Sequence, residues 1–176
     1  MLKKSFFNRP TLKVAQDLLG CFLVKKINNK IIKTKIIETE AYNGPNDLAS
    51  HASRGKTERN KIMFDEPGLI YIYLIYGMHH MLNIVTEKKD YPAAVLIRGL
   101  ENNLTNGPAK LTKYLNIDKS FNGLPIYTKK YGLWIEDRKE NLKSNQIIKT
   151  TRVGIDYAKE YRDKKWRFIL NKKNKG

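Results

Sequence analysis

The sequence holds a single cysteine, Cys21. That excludes an internal disulfide, a cysteine-rich zinc site and an iron–sulfur cluster carried by one chain. Cys21 lies in the apolar run Cys21-Phe22-Leu23-Val24 and reads as a buried, inert thiol. Long hydrophobic runs are missing as well. Nowhere do about eighteen apolar residues follow one another, the length a membrane-crossing helix needs. The opening Met1-Leu2-Lys3-Lys4 lacks the apolar stretch of a leader peptide. A soluble, intracellular protein without a membrane partner is the expectation.

Acidic residues are scarce, 17 against 34 Lys and Arg, which leaves a formal charge of +17 at pH 7. Such an excess favours polyanions, of which nucleic acid is the commonest inside a cell. A lysine-rich composition with no such partner gives the same charge, so the charge alone leaves both readings open. It is unevenly spread: residues 1–35 carry nine basic side chains and one acid, and residues 151–176 carry nine and three. Glu38, Glu40 and Asp47 sit between these basic ends.

A hydrophobic content of 41% in 176 residues is enough for a packed core rather than disorder. No repeat, linker or low-complexity stretch divides the chain, so residues 1–176 are expected to form one domain. Thr11–Leu19 has Leu12, Ala15, Leu18 and Leu19 at helical spacing, with Pro10 before it and Gly20 after. Cys21–Ile27 and Ile31–Thr39 read as strands joined by the turn Asn28-Asn29-Lys30. Residues 43–57 form a polar loop. Leu69–Tyr76, Met81–Thr86 and Ala93–Ile97 are short, β-branched and aromatic, and Gly77 and Pro92 punctuate them. Pro108–Leu115 reads as a helix with proline in its first turn. Leu133–Ile135, Ile147–Val153 and Trp166–Leu170 complete the strands. Strands follow strands without regular helices between them, so the fold class is α+β: a largely antiparallel sheet with flanking helices.

Alternation along a strand sends Glu38, Glu40 and Tyr42 to one face and Ile37, Thr39 and Ala41 to the other. Two carboxylates and a phenol on one face can be the solvated side of an edge strand, or a general base beside an aromatic ring. Tyr71 and Tyr73 share a face of a later strand, with Tyr71 expected in the core. Tyr76 is different, because a ring in a turn with Gly77 has little core to enter and is placed to wedge into a base stack. Glu38, Glu40, Asp47 and three histidines invite a metal site, but their spacing matches neither HExxH nor a zinc finger, so no metal is expected. His51 reads as a loop surface residue or as a flat ring for stacking. Arg98 closes an apolar strand, either snorkelling to solvent or clamping a phosphate near the carboxylates. Lys110 in the first turn of the second helix is a weaker phosphate-binding candidate.

In order, these segments resemble the alkyladenine (3-methyladenine) DNA glycosylase family of the mammalian type, which is distinct from the helix–hairpin–helix glycosylases. The resemblance runs from Arg9-Pro10-Thr11 and Leu18-Leu19-Gly20 through Glu38-Thr39-Glu40-Ala41-Tyr42-Asn43-Gly44-Pro45 and Ala49-Ser50-His51. It continues in Arg59-Asn60-Lys61-Ile62-Met63-Phe64, Tyr73-Leu74-Ile75-Tyr76-Gly77-Met78, Leu82-Asn83-Ile84 and Val95-Leu96-Ile97-Arg98. It ends in Asn106-Gly107-Pro108-Ala109-Lys110, Arg152-Val153-Gly154-Ile155 and Trp166-Arg167-Phe168. The resemblance implies a monofunctional enzyme without metal or cofactor, acting as a monomer on double-stranded DNA that contains damaged purines, in the cytoplasm at the nucleoid. It implies Glu40 as the base that activates water, held with Arg98 and the carbonyl of Val153. It further implies Tyr42 and His51 as the faces of a base pocket, Tyr73 as its edge, Leu96 as lining, Asn83 opposing the amine of guanine, and Tyr76 as the intercalating finger. The chain departs from the pattern at His79-His80, where aromatic residues are common, and in its short tail Lys172-Lys173-Asn174-Lys175. A non-catalytic RNA-binding module, or a metal-dependent nuclease built on Glu38, Glu40 and His51, are the rival readings.

Overall fold

The computed structural model describes residues 1–171. It is α+β, with eight antiparallel strands and three short helices. Helix α1 spans Lys4–Phe7 and α2 spans Thr11–Asp17. Strands β1 (Phe22–Ile27) and β2 (Lys30–Asn43) form the first hairpin. Strands β3 (Ile70–Ile75) and β4 (His79–Val85) form the second. Strand β5 (Ala93–Leu100) precedes α3 (Pro108–Tyr114) and β6 (Leu133–Glu136). Strands β7 (Ile147–Thr150) and β8 (Arg167–Leu170) pair with each other. The path across the sheet is β3-β4-β5-β2-β1-β6, and β8 also pairs with β2.

Strand β2 runs four residues beyond the expected Thr39, because its second half finds partners on both sides. Residues 36–43 pair with β5, and Glu38, Thr39 and Glu40 also pair with β8. A bulge at Ile36–Thr39 marks the change of register. Strand β7 is shorter than expected: it stops at Thr150, and Arg152 leaves the sheet because its side chain turns to Asp47 and the carbonyl of Ala41. Helix α1 was not expected; one turn is too short to show a helical period.

Helix α2 covers one face of β2 and β5. Thr39 is fully buried there, its hydroxyl donating to the carbonyl of Ala15 at 2.8 Å. The first free N–H of α2, on Thr11, donates to the Glu87 carboxylate at 2.8 Å, so an acid meets the positive end of the helix. Val14, Leu18, Leu23, Ile36, Leu82, Val95 and Ile97 fill the space between helix and sheet. Cys21 is fully buried in this core, its thiol against the carbonyl of Asp17 at 3.3 Å, and burial raises its pKa. With one face of β2 sealed by α2, Glu38 and Glu40 are left to the other. No helix among the described residues is long and apolar enough to cross a membrane.

Candidate active site

On the face away from α2, β5, β2 and β8 bring Arg98, Glu38, Glu40 and Arg167 together. Arg98 Nε donates to Glu38 Oε1 at 3.0 Å and lies 3.5 Å from Glu40 Oε1. Arg167 Nε reaches the same Glu38 oxygen at 2.6 Å. Gly99 lies opposite Glu38, and a Cβ there would come within 3.2 Å of the Glu38 side chain. The arginine at position 98 therefore hydrogen-bonds Glu38 and meets Glu40 only as a longer ion pair, a division that strand alternation did not reveal.

Glu40 has no solvent-exposed surface. Its Oε2 accepts from the Tyr42 hydroxyl at 2.9 Å, and its Oε1 accepts from the backbone N–H of Val153 at 2.9 Å. Burial pushes its pKa up, and the charge of Arg98, the Val153 and Tyr42 hydrogen bonds and the charge of Arg167 only partly offset that rise. Val153 was singled out for its carbonyl; the contact made here uses its N–H.

Glu40 lies under a cleft of about 560 Å³ whose walls include Tyr42, His51, Tyr73, Asn83, Leu96, Arg98 and Val153. That volume falls in the range of small-molecule sites. The His51 ring meets the Tyr73 ring edge-on, centroids 4.4 Å apart, and its Nδ1 is 3.0 Å from the Tyr71 hydroxyl. Burial of its inner edge and the charge of Arg59 lower the His51 pKa, which favours the neutral ring. Tyr71, expected in the core, has its ring buried as expected while its hydroxyl faces the site; burial raises its pKa to about 12, so it stays a donor. Burial likewise raises the phenols of Tyr42 and Tyr73, and the negative charge of Glu40 raises both further. The Asn83 amide is buried and donates to the carbonyls of Tyr71 and Met81, both at 3.2 Å, so it cannot swing aside.

Tyr76 stands on the β3–β4 turn at the rim of the cleft, 88% exposed, with φ 52°, and Met78 beside it is 68% exposed. His79 and His80 begin β4, and His80 offers its carbonyl to Thr112 at 2.9 Å. Lys110 is exposed on α3, and the structure gives it no contact with the cleft. The lysine-rich tail lies outside the described residues.

Several residues of the site were not singled out. Arg152 and Asp47 form a fully buried ion pair with contacts of 2.6 and 2.8 Å. Asn60, buried, donates to the carbonyls of His51 and Gly55 at 3.0 and 2.9 Å and so holds the turn that carries His51. Arg59 and Tyr157 line the cleft. Asp47 was visible as an acid in a basic chain, but its partner is 105 residues away and no local spacing links them.

A buried carboxylate thus lies beneath an aromatic cleft, with an exposed tyrosine at the rim. The family described as methylpurine-DNA glycosylase matches residues 5–174.

The chain belongs to the methylpurine-DNA glycosylase family.

It is accordingly a DNA glycosylase, a hydrolase that acts on DNA in the repair of alkylated bases. Similar proteins are found in bacteria and archaea. One from Clostridium perfringens (strain SM101 / Type A), provisionally named 3-methyladenine DNA glycosylase, is 42% identical over 195 aligned positions, covering 96% of this chain and 95% of the relative. One from Methanocella arvoryzae with the same provisional name is 42% identical, covering 96% and 91%. A third, from Natranaerobius thermophilus, also so named, is 40% identical, covering 96% and 94%.

Proposed function

We propose that this glycosylase acts as a monomer on double-stranded DNA, turns a damaged purine into the cleft, and hydrolyses the bond between base and sugar with water activated by Glu40. The substrates are 3-methyladenine, 7-methylguanine, hypoxanthine and ethenoadenine, and the mechanism is that of the mammalian-type branch. The observation that carries this is Glu40: an otherwise costly buried carboxylate, hydrogen-bonded on both oxygens, placed under an aromatic cleft by a strand paired on both sides.

Water reaches the carboxylate by widening the 3.5 Å gap to Arg98, the longest of its three contacts. The water oxygen bonds to the anomeric carbon, its proton passes to Glu40, and the bonding pair of the C–N bond leaves with the base. A purine alkylated at N3 or N7 is cationic and leaves as a neutral molecule, so it needs no acid. Hypoxanthine and ethenoadenine must gain a proton as they leave. Arg98 steadies the carboxylate and the developing charge. Tyr42 and His51 stack on the extruded base, about 1–3 kcal/mol per aromatic contact. Tyr73 closes the edge, Leu96 lines the wall, and the fixed amide of Asn83 opposes a 2-amino group. Tyr76 fills the stack the base has left. Lys110 contributes at most one distant phosphate contact.

A duplex with one hypoxanthine, 3-methyladenine or ethenoadenine, incubated with the protein and then treated with hot alkali, should break at the lesion. Breakage should persist in EDTA, since Glu38 Oε1 is already held by two arginines. Breakage at the lesion before alkali, or its loss in chelator, would contradict the mechanism.

A further inference from the structure

The Asp47–Arg152 pair is one of the most enclosed charged groupings in the molecule, with both side chains at 0% exposure. Its contacts run to parts of the site that are far apart in sequence. Arg152 Nη1 donates to Asp47 Oδ2 at 2.6 Å and to the carbonyl of Ala41 at 2.9 Å, while Nη2 donates to Asp47 Oδ1 at 2.8 Å. Ala41 is the residue between Glu40 and Tyr42. The next residue after Arg152 is Val153, whose N–H holds Glu40 Oε1. The Arg152 guanidinium lies 4.8 Å from the centre of the Tyr42 ring and 5.0 Å from that of Trp166. Arg152 does not line the cleft, so Tyr42 has the cation behind it and the cavity in front. Asp47 in turn accepts from the N–H groups of Asn43 and Ala49, both at 3.1 Å, which fixes the loop leading to His51.

One detail separates this from an ordinary buried ion pair. Arg152 Nε is buried without a hydrogen-bond partner among the described residues. The guanidinium is turned to suit Asp47, Ala41 and, at 3.4 Å, the Tyr161 carbonyl, and leaves its Nε–H unsatisfied, which costs free energy. A pair serving stability alone would be as well replaced by apolar residues.

We infer that Asp47 and Arg152 are positioning residues for the glycosylase reaction: the pair clamps the Arg152–Val153 peptide so that its N–H stays on Glu40, and sets Tyr42 and the His51 loop around the same point. The groups facing Glu40 are Arg98 on β5, Arg167 on β8, Tyr42 on β2, Tyr73 on β3 and the Val153 N–H; of these, the clamp directly governs Tyr42 and Val153. Loss of the clamp removes a hydrogen bond that favours the ionised carboxylate. A hydrogen bond to a charged group corresponds to roughly one to two pH units.

The inference rests on the proposed role of Glu40, so the deciding readout does not use activity. The double variant Asp47→Leu with Arg152→Met removes both charges without stranding either. In it, and in the wild type, the Glu40 carboxyl is titrated by its ¹³C chemical shift, assigned through Glu40→Gln. The expected result is a midpoint higher by roughly one to two pH units at a nearly unchanged Tm. Single-turnover excision below that midpoint should fall about ten-fold for each pH unit by which the midpoint rises. Arg152→Lys keeps a cation beside Asp47 but lacks the fork that also reaches Ala41, and serves as a second variant whose midpoint moves less, in the same direction. A folded variant of either kind whose Glu40 midpoint equals that of the wild type would overturn the inference. A wild type that excises no lesion would instead count against the proposed function, leaving the titration to stand by itself.

Discussion

At Glu40 both carboxylate oxygens have partners and no surface meets solvent, whereas Tyr76, on the turn between β3 and β4, is 88% exposed with its backbone at φ 52°. The first region is finished in the free protein. Its charges are fixed in place, so they need no rearrangement when charge develops on the sugar. The second is unfinished: an exposed ring and an exposed Met78 are held on a turn in a conformation that side chains seldom adopt. Exposed as they are, these side chains gain little packing among the described residues, and in the proposed reaction the base stack supplies it. In the proposed reaction, chemistry belongs to the buried end of the cleft and DNA recognition to its exposed rim, and changes at the two ends should have different signatures.

The largest effect is expected at the finished end. Glu40→Gln should slow single-turnover excision by about 10²–10⁴-fold, near the upper figure for hypoxanthine and less for 3-methyladenine, whose cationic base leaves more readily. Affinity for lesion duplex should hold. Glu38→Gln is the companion measurement, because Glu38 touches Arg98 and Arg167 but does not face the cleft. An excision loss from Glu38→Gln larger than that from Glu40→Gln would move the base to position 38.

Tyr76→Ala should do the reverse. Lesion-duplex affinity should weaken roughly 5- to 150-fold, the equivalent of one lost stacking contact, while Tm stays put because the residue is almost fully exposed. A lower Tm with unchanged affinity would make Tyr76 a packing residue and erase the contrast.

Between the two ends, Asn83→Ser should raise release of guanine from mismatches by about ten-fold, the lower range for a change of pocket shape. Serine removes the amide now pinned between the Tyr71 and Met81 carbonyls. If guanine release is unchanged, exclusion of the 2-amino group lies elsewhere in the pocket.

What could be read from the sequence follows the same division. Periods of two and of 3.6 placed most strands and two of the three helices, and alternation put Glu38, Glu40 and Tyr42 on one face because Thr39 between them belongs to the core under α2. The exposure of Tyr76 was legible because a ring beside Gly77 in a turn has little core to enter. Illegible were the features that depend on distant pairing. The bulge in β2 arises where its partners change, the Arg152–Asp47 pair joins two loops, and Asn60 pins the His51 turn. The early end of β7 belongs with them, since Arg152 leaves the sheet to meet Asp47.

The smallest expected effect concerns stability. The pKa of Glu40 is raised in the folded protein, first by burial, so the folded state holds its proton more tightly than the unfolded chain does. Its contribution is therefore fully present below the unfolded pKa and is lost as pH rises through the folded one. Glu40→Gln should leave Tm unchanged in acid and raise it by a few degrees at neutral pH, where about 1 kcal/mol corresponds to roughly 2–4 °C for a chain of this size. A Tm lowered at neutral pH would mean that the ionised carboxylate is held more firmly than its burial implies.

The most direct test of a buried, ionised base at the floor of the cleft is the pH dependence of single-turnover excision of hypoxanthine from a duplex. The rate should climb with pH on an acid limb whose midpoint lies above the ordinary glutamic acid value, and that limb should vanish in Glu40→Gln. The same limb persisting in Glu40→Gln, or a midpoint at or below the ordinary value in the wild type, would contradict that role for Glu40.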